Sequence, residues 1–232
     1  MSSFAPAQPH GPLVEVFPDV FQVTGTFRMN AAVAITRNMT VLRFGTELAL
    51  INSVRLDDAG LAALDALGTV KHLFKIGAFH GIDDAFYVDR YHPIFWATPH
   101  AEHAPGLTHD RALDHGASPL PDVTVFAFRR GKREEVALLL ARHGGLLISC
   151  DAYQNWTTFA GASLLGKVAL TAMGFGPTHI GGPWTKAMGP EVRADFADLL
   201  QLPFDGLLPA HGTPLRTGAK AGLEVAIRKR FG

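Results

Sequence analysis

Three short segments of the chain place ionisable side chains directly after an apolar run. They are Phe74–Asp84 (FKIGAFHGIDD), Leu146–Trp156 (LLISCDAYQNW) and Leu207–Gly212 (LLPAHG). A short apolar run bounded by polar residues reads as a buried strand. A side chain at the end of such a strand is held by a rigid sheet yet reaches solvent, where ligand and catalytic groups tend to sit. Together the segments offer His80, Asp83, Asp84, Asp151 and His211. That mixture of imidazole and carboxylate suits zinc, iron or manganese. Each residue also has a plain structural reading. Asp83 and Asp84 would cap a helix, Asp151 would cap a turn, and His211 would bond backbone in Pro209-Ala210-His211-Gly212.

The elements that must position these groups are legible in the apolar pattern. Val- and Phe-rich runs at Leu13–Phe17, Val20–Gly25, Met39–Phe44 and Leu48–Ile51 read as four strands in succession, an antiparallel meander. Asp57-Asp58 would cap a helix whose inward face is Leu61, Leu64 and Leu67. A strand at Val70–Ile76, a short helix at Asp83–Tyr91 and a strand at Pro93–Ala97 follow, then an irregular His- and Pro-rich stretch from Thr98 to Pro121. The second half repeats the theme, with strands at Val123–Phe128, Val136–Leu140, Leu146–Ser149 and Gly206–Leu208. Helices are expected at Ala160–Met173, Glu191–Leu200 and from about Thr217 to Arg230. Two sheets packed face to face with helices outside would accommodate this order. Residues 1–12, rich in Pro and Ala, read as a flexible N-terminal arm, and 13–232 as a single domain.

The three chemical segments, in this order, resemble the strand-end motifs of the metallo-β-lactamase superfamily. The stretch His80-Gly81-Ile82-Asp83-Asp84-Ala85 is similar to the family's His-x-His-x-Asp-His, keeping His80 and Asp84 and replacing two histidines by Ile82 and Ala85. Asp151 matches the aspartate that follows a strand of the type L-I-S-G-D, and His211 matches the family's last histidine. The family's Leu-Ile-Asp becomes Leu50-Ile51-Asn52. A histidine expected just before Val136–Leu140 is absent from Arg130–Glu135.

The resemblance implies an α/β chain folded as a four-layer αββα sandwich, with His80, Asp84, Asp151 and His211 as ligands of one divalent metal ion. Zinc is expected first, with iron or manganese next. Such a site would make the chain a mononuclear metal-dependent hydrolase of a small-molecule ester, amide, lactone or phosphoester. Asp83 and Asp84 are the candidate catalytic carboxylates. The alternative is a non-catalytic protein of the same fold that has lost its metal and serves in binding or structure.

Other residues carry less. Tyr87, Gln154, Asn155, Trp156 and His179 flank the candidate ligands and are expected to line a substrate pocket, although large aromatics are more often core. His92, His100, His103, His109 and His115 fit neither a helical ligand pair nor a zinc finger. The single cysteine, Cys150, reads as buried core facing away from Asp151.

Of the 232 residues, 47% are hydrophobic and 18% charged, enough for a buried core. Lys plus Arg and Asp plus Glu balance at 21 each, so no electrostatic footprint for nucleic acid or anionic membrane is expected. The lone cysteine, the lack of a basic, apolar leader and the lack of a run near 20 apolar residues together suggest a cytoplasmic setting.

Overall fold

The computed structural model describes residues 4–232. The first sheet is built in chain order from β1 (Val14–Phe17), β2 (Val20–Arg28), β3 (Ala34–Phe44), β4 (Glu47–Ile51), β5 (Thr69–Lys75), β6 (Ile94–Ala97) and β7 (Arg111–Ala112). The first four strands are antiparallel, as the helix-free run of strands suggests, and β4 through β7 are parallel. Gly45-Thr46 makes the two-residue turn between β3 and β4, with Gly45 at a φ of 63° that glycine adopts without strain. The parallel partners need crossovers. These are α1 (Asp58–Leu67), capped by Asp57 accepting from the Gly60 amide, and α2 (Asp84–Tyr91).

The second sheet runs β11 (Gly206–Pro209), β10 (Leu146–Ser149), β9 (Val136–Leu140) and β8 (Val123–Ala127) across its width. Its central strands are buried on both faces, so they read as continuous apolar runs. Alternation sorts them. Val136, Leu138, Leu146 and Ile148 pack between the sheets against Leu42, Ile51 and Phe74 of the first sheet. Ala137, Leu139, Leu147 and Leu207 face outward onto α4 (Gly182–Met188), α5 (Val192–Leu199) and α6 (Ala219–Phe231). On the far side, Leu61, Leu64 and Tyr87 of α1 and α2 cover Leu48, Leu50 and Leu73. Helix, sheet, sheet, helix: the four-layer αββα sandwich is present.

Helix α4 is not among the helices expected from the sequence. A proline in the first helical turn lacks only an amide that would be unpaired there anyway, so it starts the helix instead of preventing it. Helix α3 (Leu164–Ala172) begins four residues later than expected, where Ser163 accepts from the Gly166 amide. Residues 1–3 of the expected flexible arm lie outside the described residues. Residues 9–11 run beside β2, with Gly11 donating to Thr24 at 2.9 Å and Thr26 donating to Pro9 at 2.8 Å. Most of the 98–121 stretch is irregular, but β7 within it adds an edge strand to β6.

Candidate metal centre

Three strand ends deliver the site. His80 follows β5, Asp151 follows β10 by two residues, and His211 follows β11 by two. Their polar atoms meet. His80 Nε2 lies 3.1 Å from His211 Nε2 and 3.6 Å from Asp151 Oδ2, and His211 Nε2 lies 3.2 Å from Asp151 Oδ1. Ligands at the corners of a tetrahedron with bonds of about 2.0–2.1 Å are separated by roughly 3.3–3.4 Å. The three observed separations bracket that edge.

The tautomer of His211 is settled by its other nitrogen. Nδ1 sits 2.8 Å from the Thr36 carbonyl, which can only accept, so Nδ1 carries the proton. That leaves Nε2 as the ring atom turned to the centre. A histidine ligand held through its distal N–H by a carbonyl is the usual arrangement around a protein-bound metal. Trp156 stacks on the same ring, 5.7 Å between centroids at 16°, and fixes its plane. Burial lowers the His80 pKa, against the pull of Asp151, and its Nδ1 is buried with no partner. Burial would raise Asp151, but His80 and His211 overcome it by charge and hydrogen bonding and hold the carboxyl well below its ordinary range. Two imidazoles and one carboxylate make a donor set that fits a single divalent ion with a position left open.

Gln154 braces the carboxylate from behind. Trp156 Nε1 donates to its side-chain carbonyl at 2.6 Å, which turns its amide nitrogen toward the Asp151 backbone carbonyl at 3.1 Å. Gly212 lets the His211 loop turn at a φ of 88°. A Cβ there would lie 2.1 Å from the Asn155 carbonyl oxygen, so a side chain would push the two loops apart.

The expected ligand Asp84 is not gathered with the others. It is 1% exposed, its Oδ1 accepts from Ser53 Oγ at 2.6 Å, and it makes no hydrogen bond or ion pair with His80, Asp151 or His211. Burial, only partly offset by Ser53 and Lys75, raises its pKa to about 6. Asp83 is likewise turned away. Its carboxylate pairs with Arg37 and accepts from the Arg55 amide at 2.8 Å, so it is not free to act as a base at the centre.

Of the residues expected to line a pocket, Gln154 and Trp156 border the cavity of about 690 Å³ onto which His80, Asp151 and His211 open. Three do not. Tyr87 is fully buried in the core under α2, with its hydroxyl donating to Val54. Asn155 ties loops together through Thr213 and the Thr178 amide. His179 packs on Phe175, and burial, with Arg230 and Lys229 nearby, lowers its pKa to about 4. No residue of the 98–121 stretch lines that cavity.

Two further groups stand nearby. Cys150 is buried as expected, but its sulfur lies on the site side, with His80, Cys150 and Asp151 offering donor atoms within 4.8 Å of one another. The strand ends at Ser149, so its alternation does not extend across Cys150 and Asp151. Glu135 stands at the position where the family's missing histidine is expected, immediately before β9. It accepts from the Ala152 amide and from Trp184 Nε1, both at 2.7 Å. Burial, aided by the charge of Asp151, raises its pKa well above the ordinary range.

No protein-family model matches the sequence, and no curated protein does. Solved structures match the fold. The metallo-β-lactamase FIM-1 from Pseudomonas aeruginosa, in its mono-zinc form, aligns with a TM-score of 0.65 at 14% identity, over 97% of each chain. VMB-1 aligns at 0.62 and 16% identity, covering 92% of this chain and 97% of that one. A metallo-β-lactamase from Erythrobacter litoralis aligns at 0.59 and 12%, covering 93% and 92%. Layer order, sheet topology and these likenesses agree that the chain has the metallo-β-lactamase fold, in a sequence far diverged from the structures it matches.

Proposed function

We propose that the chain is a hydrolase working with one divalent metal ion, held by His80, Asp151 and His211. The observation that carries this reading is the convergence of their donor atoms, with the His211 ring held from behind so that its Nε2 faces the centre. The nitrogen-rich donor set favours zinc, with iron or manganese the next candidates. When bound, such an ion supplies Lewis acidity for attack by water on a carbonyl. The chain's own residues do the rest. The Thr36 carbonyl and the Trp156 indole hold the His211 ring, and Gln154 holds the Asp151 backbone. Apolar walls around the cavity limit competing water. A small-molecule substrate and a cytoplasmic setting complete the reading. No helix of the described residues is long and apolar enough to cross a membrane.

A metal-free binding protein is the second reading. It is favoured by the hydrogen-bond distances among these same three groups, which can satisfy one another without an ion, and by Asp84 standing apart. Elemental mass spectrometry of the purified chain separates the two. About one zinc, iron or manganese per chain is expected, lost in an Asp151→Ala, His211→Ala double variant. A metal-free protein that takes up neither zinc nor manganese on incubation would remove the hydrolase reading.

A further inference from the structure

The cavity beside the centre has a chemistry of its own. At about 690 Å³ it falls within the range of small-molecule sites. One wall is Ile35, Leu170 and Phe175 around Trp156, a small cluster that packs under α3. Another is Trp184, Pro183 and Ala187 of α4. At the mouth, Met29, Phe79 and Ile82 are 58%, 59% and 68% exposed, although each is apolar. Contiguous apolar surface held in water around a concave mouth marks a place where an apolar ligand would cover it.

Charge is conspicuously unavailable. Arg37 is the only cationic side chain lining the cavity. One of its terminal nitrogens pairs with Asp83 and the other donates to the Ser53 carbonyl at 3.2 Å. Its Nε is buried beneath the surface, out of reach of a solute. Gln154 is committed at both ends of its amide, to Trp156 and to the Asp151 carbonyl. Away from the centre, an anionic group in this cavity would lose its hydration with no side chain to replace it, and a polyhydroxylated one would leave its hydroxyls unpaired.

We infer that the cavity takes an uncharged molecule with an extended apolar chain or ring, so that the substrate is a neutral ester, lactone or amide of an apolar acyl group. The assignment of a substrate rests on the hydrolase reading. The assignment of a ligand class rests on the cavity alone.

The test has a binding arm and a turnover arm, both on the metal-loaded full chain. In the first, calorimetry compares decanamide with acetamide and with decanamide carrying a carboxylate or an ammonium on the carbon farthest from the amide, so that the same group faces the centre in each long chain. Decanamide is expected to bind at least about tenfold more tightly than each of the others. An Ala169→Trp variant, which fills the cavity from a half-buried position on α3, is expected to weaken decanamide by a similar factor. Phe79→Ser, at the exposed mouth, should weaken it less and keeps the test open should the first variant fail to fold. Equal binding of the charged chains, or decanamide binding unchanged in both variants, would overturn the inference. In the second arm, p-nitrophenyl decanoate is expected to be hydrolysed in preference to the acetate, and chelation should abolish both rates. Selective decanamide binding without chelator-sensitive hydrolysis would uphold the ligand class and sink the hydrolase reading.

Discussion

The segments that follow β10 and β11 and the segment that follows β5 have opposite fates. The first two keep their ionisable groups aimed at the centre. Asp151 and His211 are each clamped from outside, by Gln154 behind the one and by the Thr36 carbonyl behind the other. The third delivers His80 and then spends its two carboxylates elsewhere. Asp83 closes an ion pair with Arg37, and Asp84 sits under Ser53. The difference lies in the neighbours. A buried arginine on β3, 9% exposed at its side chain, needs a counter-ion, and Asp83 is the carboxylate that supplies it. Half of the segment is thus a structural strut, and only its first residue belongs to the centre.

That division is broken most decisively by metal content. Asp151→Ala is expected to lose bound zinc altogether, measured by elemental mass spectrometry against chelator-competed standards. Replacing Asp84 by Asn should leave it in place. Zinc lost from the Asn variant would return Asp84 to the centre and erase the contrast.

Arg37→Met tests the strut. Removing one partner of a buried pair leaves the other charge uncompensated, a loss of about 3–5 kcal/mol. Urea denaturation should show that drop, with metal content unchanged in the protein that remains folded. A loss below about 1 kcal/mol, the range of an exposed pair, would mean that Asp83 is free to serve the centre.

Much of this was readable before any coordinates, and the limits have physical causes. Strand ends are visible because a strand buried on both faces is an unbroken apolar run. The first polar residues after Leu146–Ser149 and Leu207–Leu208 therefore announce themselves. Where a carboxylate turns is not visible, since Asp83 and Asp84 differ by one position at the start of α2 and their partners, Arg37 and Ser53, are distant in sequence. Tyr87 lies one helical turn past Asp84, on the face of α2 that packs into the core, and proximity to a ligand motif obscured that periodicity. Glu135 was hidden by a search for histidine at a position that holds a buried carboxylate. Arg37 gives no local sign at all. The apolar run that marks β3 begins only at Met39, whereas the strand itself starts at Ala34 and takes Arg37 into the sheet.

Asp84 offers a pH signature that sharpens the contrast. Its folded pKa of about 6 stands above its ordinary 3.8. Between those values the folded chain holds a proton that the unfolded chain has released. The group's contribution to stability is therefore complete below about pH 4 and is lost as pH rises through about 6. Two units correspond to about 3 kcal/mol. Asp84→Asn, which can still accept from Ser53, should remove that slope from a denaturation series between pH 4 and 7. An unchanged slope would place the proton on another group.

The smallest effect probes the brace. Gln154 touches the centre only through Asp151, donating to its backbone carbonyl at 3.1 Å and reaching its Oδ1 at 3.5 Å, so Gln154→Ala should leave the ligands in place and loosen their aim. Outer partners of this kind change metal affinity by about 10–100-fold. The lower end is expected here, because His80 and His211 still hold the Asp151 carboxylate from the front. Chelator competition measures it. A loss as deep as that of Asp151→Ala would mean the loop itself had moved. An affinity equal to the parent's would mean that the two histidines alone orient the carboxylate and that Gln154 serves the Trp156 indole instead.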